Sequence, residues 1–523
     1  MNPILLVFLA AASLVGVTEC YKFLFVLPFP AKSHFSTNIA LAEELARVGH
    51  EVTVMSPFPK EKANYREIII DEKTTFTSQP MTRESLNGMR KSSKFIFAVF
   101  VWIFMANVLE EALASKPFQD LLQSKESYDA VFAEFSFFQP SMAALGHKFG
   151  APIIDICSTS AFTFTSAYSG NPHPFSYVPD ITLPLSDRMT FYERLYNAAF
   201  GLLSLTSSYL YALPKQEAMM QKFFKYPGSE NMPPLKAMVE NISLVFINSH
   251  FSVNYPRPYA PNVIEIGGIH LKPSTAKLPQ DIQKFMDEAI DGVVYISFGS
   301  VCKPEFLPEE VPLQIAKTIK QLKQRVILKW HDKKPFQGLN NVLVLEWAPQ
   351  QEILAHPKLR VFVTHGGYNS LMEVTHAGVP VIGLPVFADQ FRNVRYYEES
   401  GIGLGLDLDS FTGEELAEKI NLISNTPSFR ENAKELSRRT KDRPKKPLDT
   451  AVFWVEYVMR HKGAHHLKPQ SINLPYYQYL LLDVVAFLFL VIFISLFIIY
   501  KLISKIRCLF SKKKATPIAK KKN

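Results

Sequence analysis

Residues 347–390, WAPQQEILAHPKLRVFVTHGGYNSLMEVTHAGVPVIGLPVFADQ, set an indole, a histidine before two glycines, a polar pair, two carboxylates and an amide at ordered spacings. Gly366 and Gly367 carry no Cβ, so a ligand can approach their backbone closely, and the N–H groups opening the next helix have no partner within it. Such a helix start favours a diphosphate. His365 can donate a further hydrogen bond there. Asn369 and Ser370 fall in the first turn, within reach of phosphate oxygens, and Glu373 follows Ser370 by three positions on the same face. A carboxylate one turn deeper suits the paired hydroxyls of a ribose. Asp389 and Gln390 close an apolar run over residues 379–386, at the C-terminal edge of an expected parallel strand, where open α/β sheets bind ligands. Together these residues read as a nucleotide-sugar site.

Sugar transfer from a nucleotide needs a base for the acceptor hydroxyl and groups that stabilise the departing diphosphate. Histidine has a suitable intrinsic pKa for the first task. His34 follows the first expected strand, in the PFPAKSH loop ahead of a helix over residues 37–48. Ser300, in the FGS turn after the strand expected over residues 293–298, is a second candidate phosphate contact. Asp407-Leu408-Asp409 imitates a metal-binding DxD, but it closes a strand ahead of a helix start at Thr412 and reads as structural. Gly401, Gly403 and Gly405 lack the acidic partner of a dinucleotide loop, and His461, His465 and His466 read as solvated. Arg392 reads as an exposed helix arginine.

Strands alternating with helices must position these groups. Strands are expected over residues 22–27, 51–55, 130–133, 152–156 and 243–248, and a second series over 293–298, 326–330, 342–346 and 361–364. This alternation predicts an α/β chain with parallel, doubly wound sheets, and the length predicts two domains, over residues 21–266 and 286–465, joined by a linker at 267–285. Residues 95–106 and 192–213 are rich in aromatic and aliphatic side chains. They fit either buried or membrane-leaning helices or the walls of a pocket for an apolar acceptor. The first stretch, at 12 residues, is short of a membrane span.

Residues 1–20 have the apolar centre of a signal peptide, though without an early Lys or Arg. Residues 466–479 form a juxtamembrane segment and residues 480–501 a transmembrane helix. The basic tail, residues 502–523, continues a run of nine Lys and Arg from Lys501 with no Asp or Glu, which predicts a cytosolic tail and a type I, single-pass protein. Without that run the chain carries 48 basic against 48 acidic residues, so its net charge of +9 is no footprint for nucleic acid. The tail's partner is instead anionic membrane lipid. Lys520 and Lys521 resemble the dilysine retrieval signal of endoplasmic-reticulum membrane proteins. Four cysteines, Cys20, Cys157, Cys302 and Cys508, are too few for a disulfide framework. Asn241 heads the one N-glycosylation sequon, Asn241-Ile242-Ser243.

The stretch 347–390 resembles the signature of the family-1 UDP-glycosyltransferases, the group containing the UDP-glucuronosyltransferases, and the resemblance runs from the first strand to the basic tail. It implies the GT-B architecture: two Rossmann-like domains facing a cleft, the first binding the acceptor and the second the UDP-sugar. It implies that Trp347 stacks on uracil, that Gln350 and Glu373 hold the ribose, that His365, Asn369 and Ser370 bind the diphosphate, and that Asp389 and Gln390 bind sugar hydroxyls. It implies His34 as the catalytic base. The family pairs that base with an aspartate after a later strand, and here the matching position is Glu134, one methylene longer; Asp129, ahead of the strand, is the poorer candidate. The reaction so implied moves glucuronic acid or glucose from its UDP-sugar to a small lipophilic acceptor with inversion, without a metal or other cofactor. Alternatives are a non-catalytic UDP-sugar or lipophile-binding protein of this fold and a lipid glycosyltransferase of the ceramide type. Assembly into a homo-oligomer is left open.

Overall fold

The computed structural model describes residues 19–71, 82–272, 277–300 and 303–513. Most of the expected signal peptide, Cys302 and the dilysine pair lie outside the described residues. The chain divides into two compact units, residues 1–469 and 470–523.

The first unit is built on two all-parallel sheets. The seven-stranded sheet runs β3-β2-β1-β4-β5-β6-β7, from β1 (Lys22–Val26), β2 (Glu51–Ser56), β3 (Arg66–Ile69), β4 (Ala130–Ala133), β5 (Ile153–Cys157), β6 (Leu244–Ile247) and β7 (Val263–Glu265). The six-stranded sheet runs β10-β9-β8-β11-β12-β13, from β8 (Val293–Ser297), β9 (Arg325–Lys329), β10 (Val342–Leu345), β11 (Leu359–Thr364), β12 (Val381–Gly383) and β13 (Gly403–Gly405). In each sheet the order reverses beside the strand that opens it, as in doubly wound folds. The central strands are apolar throughout because helices cover both faces: Phe23, Leu24, Phe25 and Val26 of β1 are fully buried, and Phe25 stacks on Phe132 of β4.

Two strands escaped the sequence reading, the short edge strands β3 and β7. The strand expected ahead of Asp407 is no more than β13, Gly-Leu-Gly, with little β-propensity of its own. Pairing of Ile382 with Leu404 holds it in the sheet, and its helix–strand neighbour Val394 would be struck by any Cβ at Gly405. Conversely, the run 379–386 forms strand only over Val381–Gly383.

The helix expected from residue 37 begins earlier, at Lys32, and runs to Arg47, so His34 lies in its first turn and not in a loop ahead of it. Ile39, Leu41, Ala42 and Leu45 bury one face of this helix, while Thr37 and Asn38 are buried polar groups toward the site. The helix Pro447–Arg460 returns to the seven-stranded sheet: Ala451, Val455 and Val458 join its core cluster although they follow the six-stranded sheet in sequence. A helix, Gln280–Asp287, also occupies part of the expected linker.

The apolar stretch at 95–106 belongs to a longer helix, Lys94–Ala114, whose 21 residues are long and apolar enough to cross a membrane. Half of its apolar window is nevertheless buried, and Phe95 packs edge-on against Tyr196 and Phe200 of the helix Phe191–Ser207. It is a packed helix of the first unit.

The second unit contains the helix Leu482–Lys513. Its charge-free part, residues 484–500, rises about 25 Å at 1.5 Å per residue, near the hydrocarbon thickness of a bilayer. The helix does not stop at the expected boundary near residue 501 but continues through the first basic residues of the tail.

Candidate active site

The chemistry-bearing residues converge because parallel strands all present their C-terminal ends on one side of a sheet. From the seven-stranded sheet come His34 beyond β1, Glu134 directly after β4 and Ser158 directly after β5. His34 Nδ1 lies 2.8 Å from Oε1 and 3.0 Å from Oε2 of Glu134. An ionised carboxylate only accepts, so Nδ1 carries the proton and Nε2 keeps its lone pair. The ring is clamped between Phe137, at 4.2 Å between centroids, and Phe29, at 5.2 Å.

Glu134 is 3% exposed, and its Oε1 also accepts from the Ser158 N–H at 3.0 Å. The loop after it is tight: Phe137 N–H donates back to the Glu134 carbonyl, and Phe138 takes the left-handed backbone region at φ 63°. Asp155, on β5, braces this loop by accepting from Ser136 N–H at 3.2 and 3.3 Å. Full burial pushes Asp155 up to about 7. Sequence inspection did not single it out, because its relation to Glu134 exists only across two paired strands. Asp129 stands at the opposite end of β4, accepting from Lys22 N–H, and has no part in this cluster.

From the six-stranded sheet come the donor-side groups. Gly299 after β8 and Gly366 after β11 take positive φ of 80° and 79°, and a Cβ on Gly299 or Gly367 would lie 2.5 Å from the His365 ring. The imidazole is therefore wedged between two glycine turns. Burial, then the charge of Lys329, pushes His365 down to about 4, so it is neutral and keeps one N–H to donate. Ser300 follows Gly299, half-exposed at the turn.

The helix Tyr368–Ala377 opens at Gly367 and ends at Gly378 in the left-handed conformation. Asn369 in its first turn reaches the other sheet: Nδ2 donates to the Ser33 carbonyl at 2.9 Å and Ser36 Oγ at 3.2 Å. Ser370 accepts from Gln350 Nε2 at 3.0 Å. Glu373 is buried, accepting from Gln350 Nε2 and, at 3.2 Å, from Gln351 Nε2, with His270 Nε2 3.7 Å away. Burial pushes Glu373 up to about 7. Gln351 and His270 were missed in the sequence; Gln351 adjoins the singled-out Gln350, whereas nothing local marks His270.

Trp347 is 59% exposed, with the ammonium groups of Lys32 and Lys329 lying 4.3 and 4.4 Å from its ring centroid. Asp389 stands just ahead of the helix Gln390–Glu399, after Ala388 at φ 54°, and its Oδ2 accepts from Asn393 Nδ2 at 2.6 Å rather than from the helix backbone. Burial raises it to about 6 against that hydrogen bond and the charges of His34 and Arg392. Gln390 turns its Oε1 back to accept from Val386 and Phe387 N–H groups, which leaves only its Nε2 for a ligand.

Arg392 contradicts the sequence expectation. It is buried, because Asn254 and Tyr255, in the loop between β6 and β7, cover that side of its helix. Asn241 is exposed at the end of the helix Leu235–Glu240, its Oδ1 accepting from Lys468 Nζ. Asp409 pairs with Arg90 and its N–H donates to Asp407, a structural use of the Asp-Leu-Asp segment.

Two doubly wound sheets sharing one seam at their C-terminal edges, with the candidate groups confined to that seam, are the architecture of GT-B glycosyltransferases. A solved structure, the glycotransferase of kitacinnamycin, has the same fold: TM-score 0.56 at 17% identity, covering 84% of this chain and 100% of that one. The family model described as UDP-glucoronosyl and UDP-glucosyl transferase matches residues 24–516. UDP-glycosyltransferase UGT5 of Dactylopius coccus is 37% identical over 505 residues, 94% of this chain and 93% of that protein. UDP-glucuronosyltransferase 2B18 of Macaca fascicularis is 32% identical over 488 residues, 90% of each chain. The chain belongs to the UDP-glucoronosyl and UDP-glucosyl transferase family. It is a UDP-glycosyltransferase, which moves a sugar from a UDP-sugar, and its C-terminal apolar helix is consistent with membrane anchoring.

Proposed function

We propose that the chain transfers glucuronic acid or glucose from its UDP-sugar to a hydroxyl of a small lipophilic acceptor by direct displacement with inversion. His34 Nε2 takes the hydroxyl proton as the acceptor oxygen attacks the anomeric carbon and the bond to UDP breaks. Glu134 holds the imidazole in the required tautomer and stabilises the imidazolium that forms. The departing diphosphate is met by the N–H groups at Gly366 and Gly367, the start of the following helix, neutral His365, Ser300, Ser370 and Asn369, which exchanges part of its bonding to Ser33 and Ser36 for phosphate. Trp347 stacks on uracil, Gln350 and Glu373 hold the ribose, and Asp389 with the free amide of Gln390 holds sugar hydroxyls. The reading uses no metal.

The observation that carries it is the His34–Glu134 hydrogen bond at 2.8 Å, on the helix that Asn369 ties to the donor-side glycine turn. The glutamate carboxylate, one methylene longer than the family's aspartate, meets the His34 ring from the turn at residues 134–138, which supports a catalytic role. The site lies in the endoplasmic-reticulum lumen, with the basic tail in the cytosol against anionic lipid. The test is His34→Ala, assayed in microsomes with labelled UDP-glucose and UDP-glucuronic acid against phenol and steroid acceptors. Transfer should fall by roughly 10²-fold or more, while calorimetric UDP binding persists; retained turnover overturns the mechanism.

A further inference from the structure

His270 lies in the connection that leads from β7 to the six-stranded sheet. The backbone around it is pinned: Gln351 Nε2 donates to the His270 carbonyl at 3.3 Å, and Lys272 N–H donates to Gln351 Oε1 at 2.8 Å. Two residues earlier, Gly268 N–H donates at 2.9 Å to Asn248 Oδ1, and the amide of Asn248 donates in turn to Asn369. The ring is held without being bonded. It is buried, and neither Nδ1 nor Nε2 has a hydrogen-bond partner among the described residues. Nε2 stands 3.7 Å from Glu373 Oε1.

Two buried nitrogens without a protein partner cost stability that an apolar ring of the same shape would not. Packing alone therefore does not account for a histidine here. Burial pushes His270 down to about 4, so the ring is neutral and has one N–H to give. Glu373 meanwhile accepts from Gln350 and Gln351. Ribose changes that balance, because Gln350 also serves the ribose and its amide leaves the carboxylate as the hydroxyls arrive. His270 is then the uncommitted donor beside Glu373, and a shift of about 0.8 Å brings Nε2–H to ordinary hydrogen-bond distance.

We infer that His270 is a positioning residue for the donor's ribose: its Nε2–H closes on Glu373 Oε1 and holds the carboxylate toward the 2′ and 3′ hydroxyls. The inference rests on the reading of Glu373 as a ribose ligand and adds the group that orients it. His270 touches no substrate atom itself. Its effect falls on recognition of the sugar hydroxyls of the nucleoside, not on the diphosphate or on the proton transfer at His34.

The test measures calorimetric binding of UDP and of 2′-deoxyuridine diphosphate to the full-length protein in detergent, together with melting temperature. The wild type should prefer UDP. In His270→Phe, which keeps the ring and removes both nitrogens, that preference should fall by about tenfold, while the melting temperature stays at or above the wild-type value. His270→Gln, whose Nε2 can stand near the place of the imidazole Nε2, should keep the preference to within about threefold. His270→Met repeats the measurement if His270→Phe does not fold. An unchanged preference in His270→Phe, or equal losses for the two nucleotides, makes His270 a packing residue and overturns the inference. Glu373→Gln separates this from the reading beneath it. If Glu373→Gln loses the preference and His270→Phe keeps it, only the role of His270 fails; if Glu373→Gln keeps it, or the wild type has none, the ribose reading of Glu373 fails and the role of His270 with it.

Discussion

Asn369 Nδ2 donates to the Ser33 carbonyl across 2.9 Å, joining the first turn of the donor-side helix to the first turn of the helix that carries His34. The same side chain donates to Ser36 Oγ, and its Oδ1 accepts from Thr37 Oγ1 at 3.3 Å and Asn248 Nδ2 at 3.1 Å. One amide thus sets the separation of base and donor turn. Asn369→Ala removes all four bonds, and a displacement near 1 Å at a reacting centre can cost about 10²-fold in rate. Steady-state kinetics should show kcat/KM lower by roughly 10- to 10²-fold; a wild-type value would remove Asn369 from this role.

Glu134 is expected to act through its carboxylate and its length. Glu134→Gln should lower kcat by about 10³-fold or more, since an amide no longer enforces the tautomer or stabilises the imidazolium. Glu134→Asp draws the carboxylate back from a loop shaped for glutamate, and a loss of roughly 10-fold or more in kcat follows. UDP affinity, read by calorimetry, should be nearly the same in both. Full activity in Glu134→Gln removes the residue from the mechanism.

Glu373 should impose a pH dependence on donor binding. Burial lifts its pKa from the ordinary 4.5 to about 7, so the folded protein holds this proton more tightly than the unfolded chain. Between those values the folded state binds more protons, and the sign of the linkage is that stability declines as pH rises through this window. Ribose hydroxyls require the opposite state, the carboxylate present above about 7. Affinity for UDP-glucose, whose own phosphates do not titrate there, should therefore strengthen several-fold (roughly up to tenfold) from pH 6 to pH 8, and Glu373→Gln should reduce that dependence to the part carried by Asp389, which burial raises to about 6. Melting temperature should show the complement, with Glu373→Gln gaining more over wild type at pH 8 than at pH 5. His365 cannot supply this limb, because it is already neutral above about 4.

Much of the donor side was legible because its signals are local. A β-branched run, a histidine, two glycines and a helix start specify a strand–turn–helix over a dozen residues, and β11, Gly367 and the helix Tyr368–Ala377 follow that reading. The strand ahead of Glu134 was legible for the same reason, whereas Glu134 itself was singled out only by the family resemblance. Arg392 was misread because exposure on a helix depends on what lies over it, and the cover comes from residues 254–255, more than a hundred positions away. β13 was legible only as a strand without bounds ahead of Asp407, because glycines carry no strand signal and pairing with β12 holds it. The long helix Lys94–Ala114 was shortened because its charged final turns hide an apolar seam.

The amino-acid sequence by itself determined the order of strands and helices, the residue types standing at strand ends, and an apolar segment long enough to cross a bilayer. These follow from periodicity, short-range backbone preference and side-chain chemistry, all of which act within a few residues. Tertiary structure alone decided that His34 meets Glu134 over a separation of 100 residues, that Asn369 bridges the two sheets, and that Glu373, His365 and Arg392 are withdrawn from water. Those outcomes depend on packing of distant segments, which fixes both the distances between groups and the desolvation that shifts their protonation.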